Sequence, residues 1–225
     1  MFDKKVVYDI SRFTHLDYPQ HLACIVWLSG CNMRCDYCYN SDIVFAKSGA
    51  YSYNDVLAFL KTRQNLLDGV VLSGGEASSH ELVEFCKEIK KLGFKIKLDT
   101  NGTNPLQLSR LLELDLLDFV ALDYKAPEEK FTKITHSKKY QEFSQTLDIL
   151  IGSQIEYEVR TTLHSDLLDV EDLNKIIKDL TKRGYNKTYY IQKFLDTSTT
   201  IASLKKPLKS IDTSKLLKDI PILYR

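Results

Sequence analysis

The sequence predicts an α/β protein of the partial (β/α)6 barrel class, with parallel strands inside and helices packed outside. Three observations predict it. Short apolar runs rich in β-formers alternate with stretches of helical periodicity along the 225 residues. No tight hairpin joins one run to the next, so the connections are crossovers, which parallel neighbours require. Each strand run also ends in a polar cluster, as expected where the strand ends of a barrel carry chemistry. Six such units fit this length better than a full eight-stranded barrel of about 250 residues. A doubly wound open sheet is the competing architecture, and its GxGxxG phosphate fingerprint is absent.

Residues 1–22 read as an irregular lead-in whose aromatics, among them Tyr8, Phe13 and Tyr18, can cover one end of the core. Ala23–Leu28 is short, apolar and ended by Ser29-Gly30, which makes it a buried strand. Ser52 to Asp55 precedes Val56, Leu57, Phe59 and Leu60 as a capped amphipathic helix. Gly69–Leu72 is the next strand and runs into Ser73-Gly74-Gly75-Glu76. Leu82, Val83, Phe85, Cys86 and Ile89 recur at helical spacing, with Gly93 where a helix stops. Phe94 to Leu98 alternates apolar and basic residues before Asp99-Thr100-Asn101-Gly102. A helix through Leu106 to Leu112 leads to the strand Phe119–Leu122 and its exit Asp123-Tyr124-Lys125. A helix near 139–151, a strand 155–163, a helix near 170–182 and a strand 188–194 complete the alternation. From 195 the chain turns polar and then basic, and reads as a solvated cover ending in a short strand at 220–224. The whole is expected to be one domain, 1–225.

Bulk properties narrow the function classes. Lys+Arg 31 against Asp+Glu 30 leaves a formal charge of +1, so no global field recruits nucleic acid or acidic membranes. The start lacks a signal-peptide core, and no apolar run approaches the roughly 18 residues of a membrane span. A cytoplasmic protein is expected. The cysteine count is odd, five, with three clustered, which fits metal chemistry in a reducing compartment better than disulfides. Cys24 and Cys86 sit in apolar patterns and read as core. No Ser-His-Asp order, phosphate loop or HExxH occurs.

The chemistry concentrates at Cys31-Asn-Met-Arg-Cys35-Asp-Tyr-Cys38, a CxxxCxxC run leaving the first buried strand. Three thiolates in eight residues can wrap a four-iron cluster and leave one iron open. A zinc site is the alternative; it would need a fourth ligand, for which His15 and His21 lie upstream, and zinc sites usually come as paired dipeptide spacings. With the aromatic Tyr37 before its last cysteine, the motif resembles that of the radical S-adenosylmethionine enzymes. The resemblance implies a [4Fe-4S] cluster on Cys31, Cys35 and Cys38. It also implies S-adenosylmethionine on the open iron, cleaved by an electron to a 5′-deoxyadenosyl radical.

Gly74-Gly75-Glu76 resembles the family's GGE motif, which holds the methionine ammonium; Ala77 stands where the family commonly has Pro. Asp99-Thr100-Asn101 and Asp123-Tyr124-Lys125 resemble strand ends of activating enzymes that install glycyl radicals, which implies a monovalent cation beside the methionine carboxylate. Taken singly, either aspartate could be a helix cap. Arg160 matches a basic position on the fifth strand of the family, or pairs with a core-edge carboxylate. Asp9 to Phe13, Leu16 to Pro19, Trp27 to Asn32, Leu72 to Glu76, Lys97 to Gly102 and Ala121 to Pro127 extend the likeness to activating proteins of anaerobic ribonucleoside-triphosphate reductase. Gln20 and Tyr39 depart from it, where relatives often carry Gly and His. The resemblance implies a glycyl radical enzyme as protein substrate and flavodoxin or ferredoxin as reductant, with a nucleic-acid partner unsupported. A small-molecule or RNA substrate, as in 7-carboxy-7-deazaguanine synthases, and a non-catalytic metal-binding module are the alternatives.

Overall fold

The computed structural model describes residues 2–197 and 199–225; Met1, of the lead-in, and Ser198, of the polar stretch opening the tail, lie outside the described residues. It is an α/β fold on an eight-stranded sheet. The strands are β1 Val7–Thr14, β2 Ala23–Leu28, β3 Gly69–Gly74, β4 Lys95–Thr100, β5 Phe119–Asp123, β6 Glu156–Leu163, β7 Tyr189–Lys193 and β8 Ile222–Tyr224. They follow one another in the sheet in chain order. The neighbours β2–β3, β3–β4, β6–β7 and β7–β8 pair in parallel, and β1 pairs antiparallel to β2. Between them run α1 Ser41–Phe45, α2 Tyr53–Lys61, α3 Val83–Lys91, α4 Pro105–Glu113, α5 Glu128–Thr135, α6 Tyr140–Gly152 and α7 Val170–Lys182.

The lead-in departs from expectation, because Val7–Thr14 is a strand rather than irregular chain. Its side chains show no period-two burial, and its register against β2 shifts twice, between Val7 and Asp9 and between Ser11 and Thr14. Backbone pairing to β2 holds it there, a cause that leaves little mark on the side-chain pattern. Helices α1 and α5 also escape the periodicity reading. The first has five residues, and the second starts directly after Pro127, its N-cap.

The chain divides into two compact units. One comprises Met1–Asn32, Asp42–Thr100 and Asn104–Ala121; the other comprises Met33–Ser41, Asn101–Thr103 and Leu122–Arg225. In the first, β2, β3 and β4 alternate sides. Cys24, Val26, Val70, Leu72, Ile96 and Leu98 are fully buried, as are Val56 and Leu60 of α2 and Cys86 and Ile89 of α3. Each buried Leu or Ile contributes about 2 kcal/mol. On the alternate positions Ala23, Ile25 and Val71 cluster with Tyr18, against Trp27 and Phe119. Ser52 caps α2 through a reciprocal capping box with Asp55, as its sequence predicts.

The second unit is organised around aromatics. Tyr124 packs edge-on to Phe143 at 4.6 Å, and Phe131 packs edge-on to Tyr140 at 5.3 Å. Helix α7 opens with its own capping box, Asp169 with Asp172, and buries Leu173, Ile176, Ile177 and Leu180. Among the described residues, no helix is long and apolar enough to cross a membrane.

Candidate functional site

In the first unit, the exits of β2 and β3 are joined by backbone. Register places Leu28 beside Gly74, and the Gly75 and Glu76 amides donate to the Leu28 and Gly30 carbonyls, each at 2.9 Å. The approach is so close that a Cβ on Gly75 would stand 1.9 Å from the Gly30 carbonyl oxygen. Glycine is therefore required at 75, because any side chain would displace the residue preceding Cys31. Gly74 sits at φ +122°, and a Cβ there would meet the Leu28 backbone at 2.3 Å. The two glycines of the predicted motif are thus what lets one strand exit rest against the cysteine loop's origin.

Glu76 is buried, and its carboxylate accepts from the Ser78 amide at 3.1 Å and from the Thr100 hydroxyl at 2.7 Å. These two donors fix its orientation. Asp99 accepts from Lys97 Nζ at 2.5 Å and from the Ser73 hydroxyl at 3.2 Å. It caps no helix; Asn104 caps α4, so the cap reading of Asp99 gives way to an ion pair. Cys31 Sγ lies 4.0 Å from the Asn32 side-chain oxygen.

In the second unit the rest of the cysteine loop is pinned from two sides. The Arg34 and Asp36 amides donate to the Thr135 and Ile134 carbonyls at the end of α5, at 2.9 and 3.0 Å. The Ile201 and Ala202 amides donate to the Cys38 and Asp36 carbonyls, at 3.0 and 3.2 Å. Cys35 is buried, with Sγ 3.9 Å from Met33 Sδ, and Cys38 is half-buried. The Tyr37 hydroxyl is buried with no hydrogen-bond partner among the described residues. Burial pushes its phenol well above the usual range, which the nearby Lys125 ammonium only partly offsets. Asn101 is buried and accepts from the Thr103 amide and hydroxyl, at 3.1 and 2.7 Å.

Asp123 accepts from Lys125 Nζ at 2.9 Å and from Arg160 Nε at 2.5 Å. Burial disfavours its charge, but Arg160 and Lys125 outweigh it and hold the carboxyl well below the usual carboxylate range. Burial likewise works against the Lys125 charge, and Asp123, then Tyr37, overcome it, so its ammonium persists well above the ordinary lysine value. Pro127 caps α5, so Asp123 is not a helix cap either. Arg160 also approaches Glu158 at 3.8 Å, and Glu158 is held by Arg225 at 2.6 Å.

Sequence reasoning missed three of these participants. Lys97 was legible only as one basic residue in an alternating run, although period two puts it on the face of Asp99. Glu158 and Arg225 come from a strand and a tail whose pairing leaves no local signal. Among the described residues, no three Cys, His, Asp or Glu side chains are gathered closely enough to hold one metal ion.

The donor types fit a cluster with a cofactor on it: in the first unit the Cys31 thiol, a glycine cradle at 74–75 and a fixed carboxylate at Glu76, and in the second the Cys35 and Cys38 thiols and an orphaned phenol at Tyr37. They do not fit a monovalent cation, since Asp99 and Asp123 each already hold a cationic side chain.

The Radical SAM superfamily model matches residues 25–180. Two proteins of Methanocaldococcus jannaschii, both provisionally named glycyl-radical enzyme activating enzymes, are 29% and 25% identical; the first match covers 78% of this chain and 75% of the relative, the second 95% and 81%. The pyruvate formate-lyase-activating enzyme of Clostridium pasteurianum is 26% identical over 77% of this chain and 76% of its own. Among solved structures, Streptococcus suis SuiB bound to S-adenosylmethionine has a TM-score of 0.68 at 10% identity, over 89% of this chain and 49% of its own. Native anSMEcpe with bound AdoMet has a TM-score of 0.61 at 19% identity, over 75% and 50%. The chain thus spans about half the length of these two structures, which share its fold. With the family model matching most of the sequence, including all three motif cysteines, the chain belongs to the Radical SAM superfamily, whose cofactors are a [4Fe-4S] cluster and S-adenosylmethionine.

Proposed function

We propose that this protein activates a glycyl radical enzyme, with anaerobic ribonucleoside-triphosphate reductase as its protein substrate. When bound, the cluster and S-adenosylmethionine supply the one-electron chemistry that removes a hydrogen atom from a backbone glycine. The chain's own residues bind, orient and exclude water. Cys31, Cys35 and Cys38 would hold the cluster through their thiolates. Gly74 and Gly75 would leave room for the methionine end, and Glu76 would accept from its ammonium. Asp99, Thr100, Asn101, Asp123, Lys125, Arg160 and Tyr37 would bind S-adenosylmethionine, the carboxylates near its methionine end. All 225 residues act as one catalytic domain, and flavodoxin or ferredoxin delivers the electron.

The observation that carries this reading is the match to named activating enzymes, and the strand ends are consistent with it. The relatives that match over three quarters or more of the chain include the two provisionally named activating enzymes and a pyruvate formate-lyase-activating enzyme. The polar ends of β3, β4 and β5 carry the residues those strand ends call for. Anaerobic mixing of the reconstituted chain, S-adenosylmethionine, reductant and the purified reductase is expected to give a glycyl doublet in the EPR spectrum of the reductase. No doublet with any glycyl radical enzyme of the same organism would sink the proposal.

A second reading keeps the cofactors and changes the substrate to a small molecule. It is favoured by a 7-carboxy-7-deazaguanine synthase of Buchnera aphidicola, 24% identical over 71% of this chain and 70% of its own. Turnover of a small molecule with no protein partner present would select it.

A further inference from the structure

Asp99 and Asp123 are the two carboxylates that the resemblance gives to a monovalent cation, and each already carries a cation of the protein's own. Lys97 precedes Asp99 by two residues on β4, so both side chains leave the same face of the strand. Lys97 is 2% exposed, its Nζ stands 2.5 Å from Asp99 Oδ1, and it lies 5.9 Å from the centre of the Phe119 ring. Ser73 donates to the other carboxylate oxygen. In the second unit, Lys125 and Arg160 take one oxygen of Asp123 each.

A buried ammonium is costly unless a carboxylate neutralises it, and a carboxylate so neutralised has little attraction left for a second cation. Two positive charges about 4 Å apart repel, and the repulsion grows as the surroundings become less polar. An ammonium in hydrogen-bond contact supplies the same single charge as a bound potassium ion and adds direction, because its N–H groups aim at the oxygens.

We propose that Lys97 is the resident counter-cation of Asp99, and Lys125 with Arg160 those of Asp123, so that this chain works without a monovalent metal ion. Lys97 is then a positioning residue that fixes the Asp99 carboxylate. This rests on Asp99 and Asp123 facing the cofactor, as the proposed function has them.

The test uses the reconstituted full chain in choline nitrate at fixed ionic strength, with potassium or thallium(I) nitrate substituted in. The wild type is expected to melt at the same temperature in choline and potassium and to give no saturable thallium NMR broadening. Lys97→Gln is expected to take up the ion instead, with saturable broadening and a melting temperature about 5 °C higher when potassium is about a hundredfold above its dissociation constant. A saturable thallium site in the wild type, or a folded Lys97→Gln indifferent to both ions, would overturn the proposal. Should Lys97→Gln fail to fold, the wild-type titration decides alone. Cation binding is read here without turnover, so absent S-adenosylmethionine cleavage would count against the functional reading and leave this one standing.

Discussion

Asp123 is held by two cations, and removing its charge leaves both of them largely shielded from water and uncompensated. Asp123→Asn is therefore expected to cost about 3 to 5 kcal/mol at neutral pH, the scale of breaking a buried pair from one side. The sign of the pH dependence follows from its depressed folded value. The carboxylate's contribution is fully present above the unfolded aspartate value, about 3.9, and is lost as pH falls through the lower folded value. Lys125, raised in the fold, contributes below the unfolded lysine value and is lost only as pH rises through its higher folded one. The stability gap between wild type and Asp123→Asn, measured by urea unfolding, should be widest between about pH 5 and 9 and should shrink below about pH 4. A gap that stays constant down to pH 2 would show that Asp123 does not carry its charge as described.

At the scale of elements, the cysteine loop depends on segments distant in sequence. The end of α5 and the turn at Ile201-Ala202 both bind its backbone. The tail thus does more than cover the fold, because two of its amides satisfy carbonyls within the loop. Ile201→Pro removes the donor to Cys38 and should cost about 1 to 3 kcal/mol locally, with a small change in melting temperature. The expected readout is loss of hydrogen-exchange protection at residues 36–38 and faster iron transfer to a chelator. Unchanged iron retention would show that the tail is only a cover.

Such dependence explains what was legible in the sequence. Strands β2 to β7 announce themselves because burial on both faces selects continuous apolar or alternating runs. The glycines at 74–75 and the cysteine spacing are local and equally visible. Strand β1, held by its neighbour's backbone, was not, and neither were the partners Glu158 and Arg225, since no local pattern records which distant charge a side chain will meet. Lys97 lay between the two cases. Its place on the face of Asp99 was readable from period two, but its burial was not, because alternating basic residues ordinarily mark a wet face.

At the scale of the whole molecule, the proposed reaction is one transfer: a hydrogen atom leaving a glycine of another protein. The superfamily membership fixes the cofactors, and in the proposed function the three thiols, the glycines at 74–75 and the carboxylates are the chain's part in holding them. The most direct measurement follows that atom. A reductase grown with deuterium at the glycine α-carbon is mixed anaerobically with this chain, S-adenosylmethionine and reductant, and the 5′-deoxyadenosine formed is weighed by mass spectrometry. Deuterium in the 5′-deoxyadenosine, in step with the glycyl radical formed, is the expected result; deoxyadenosine formed without deuterium, at the same rate with and without the reductase, would contradict the account.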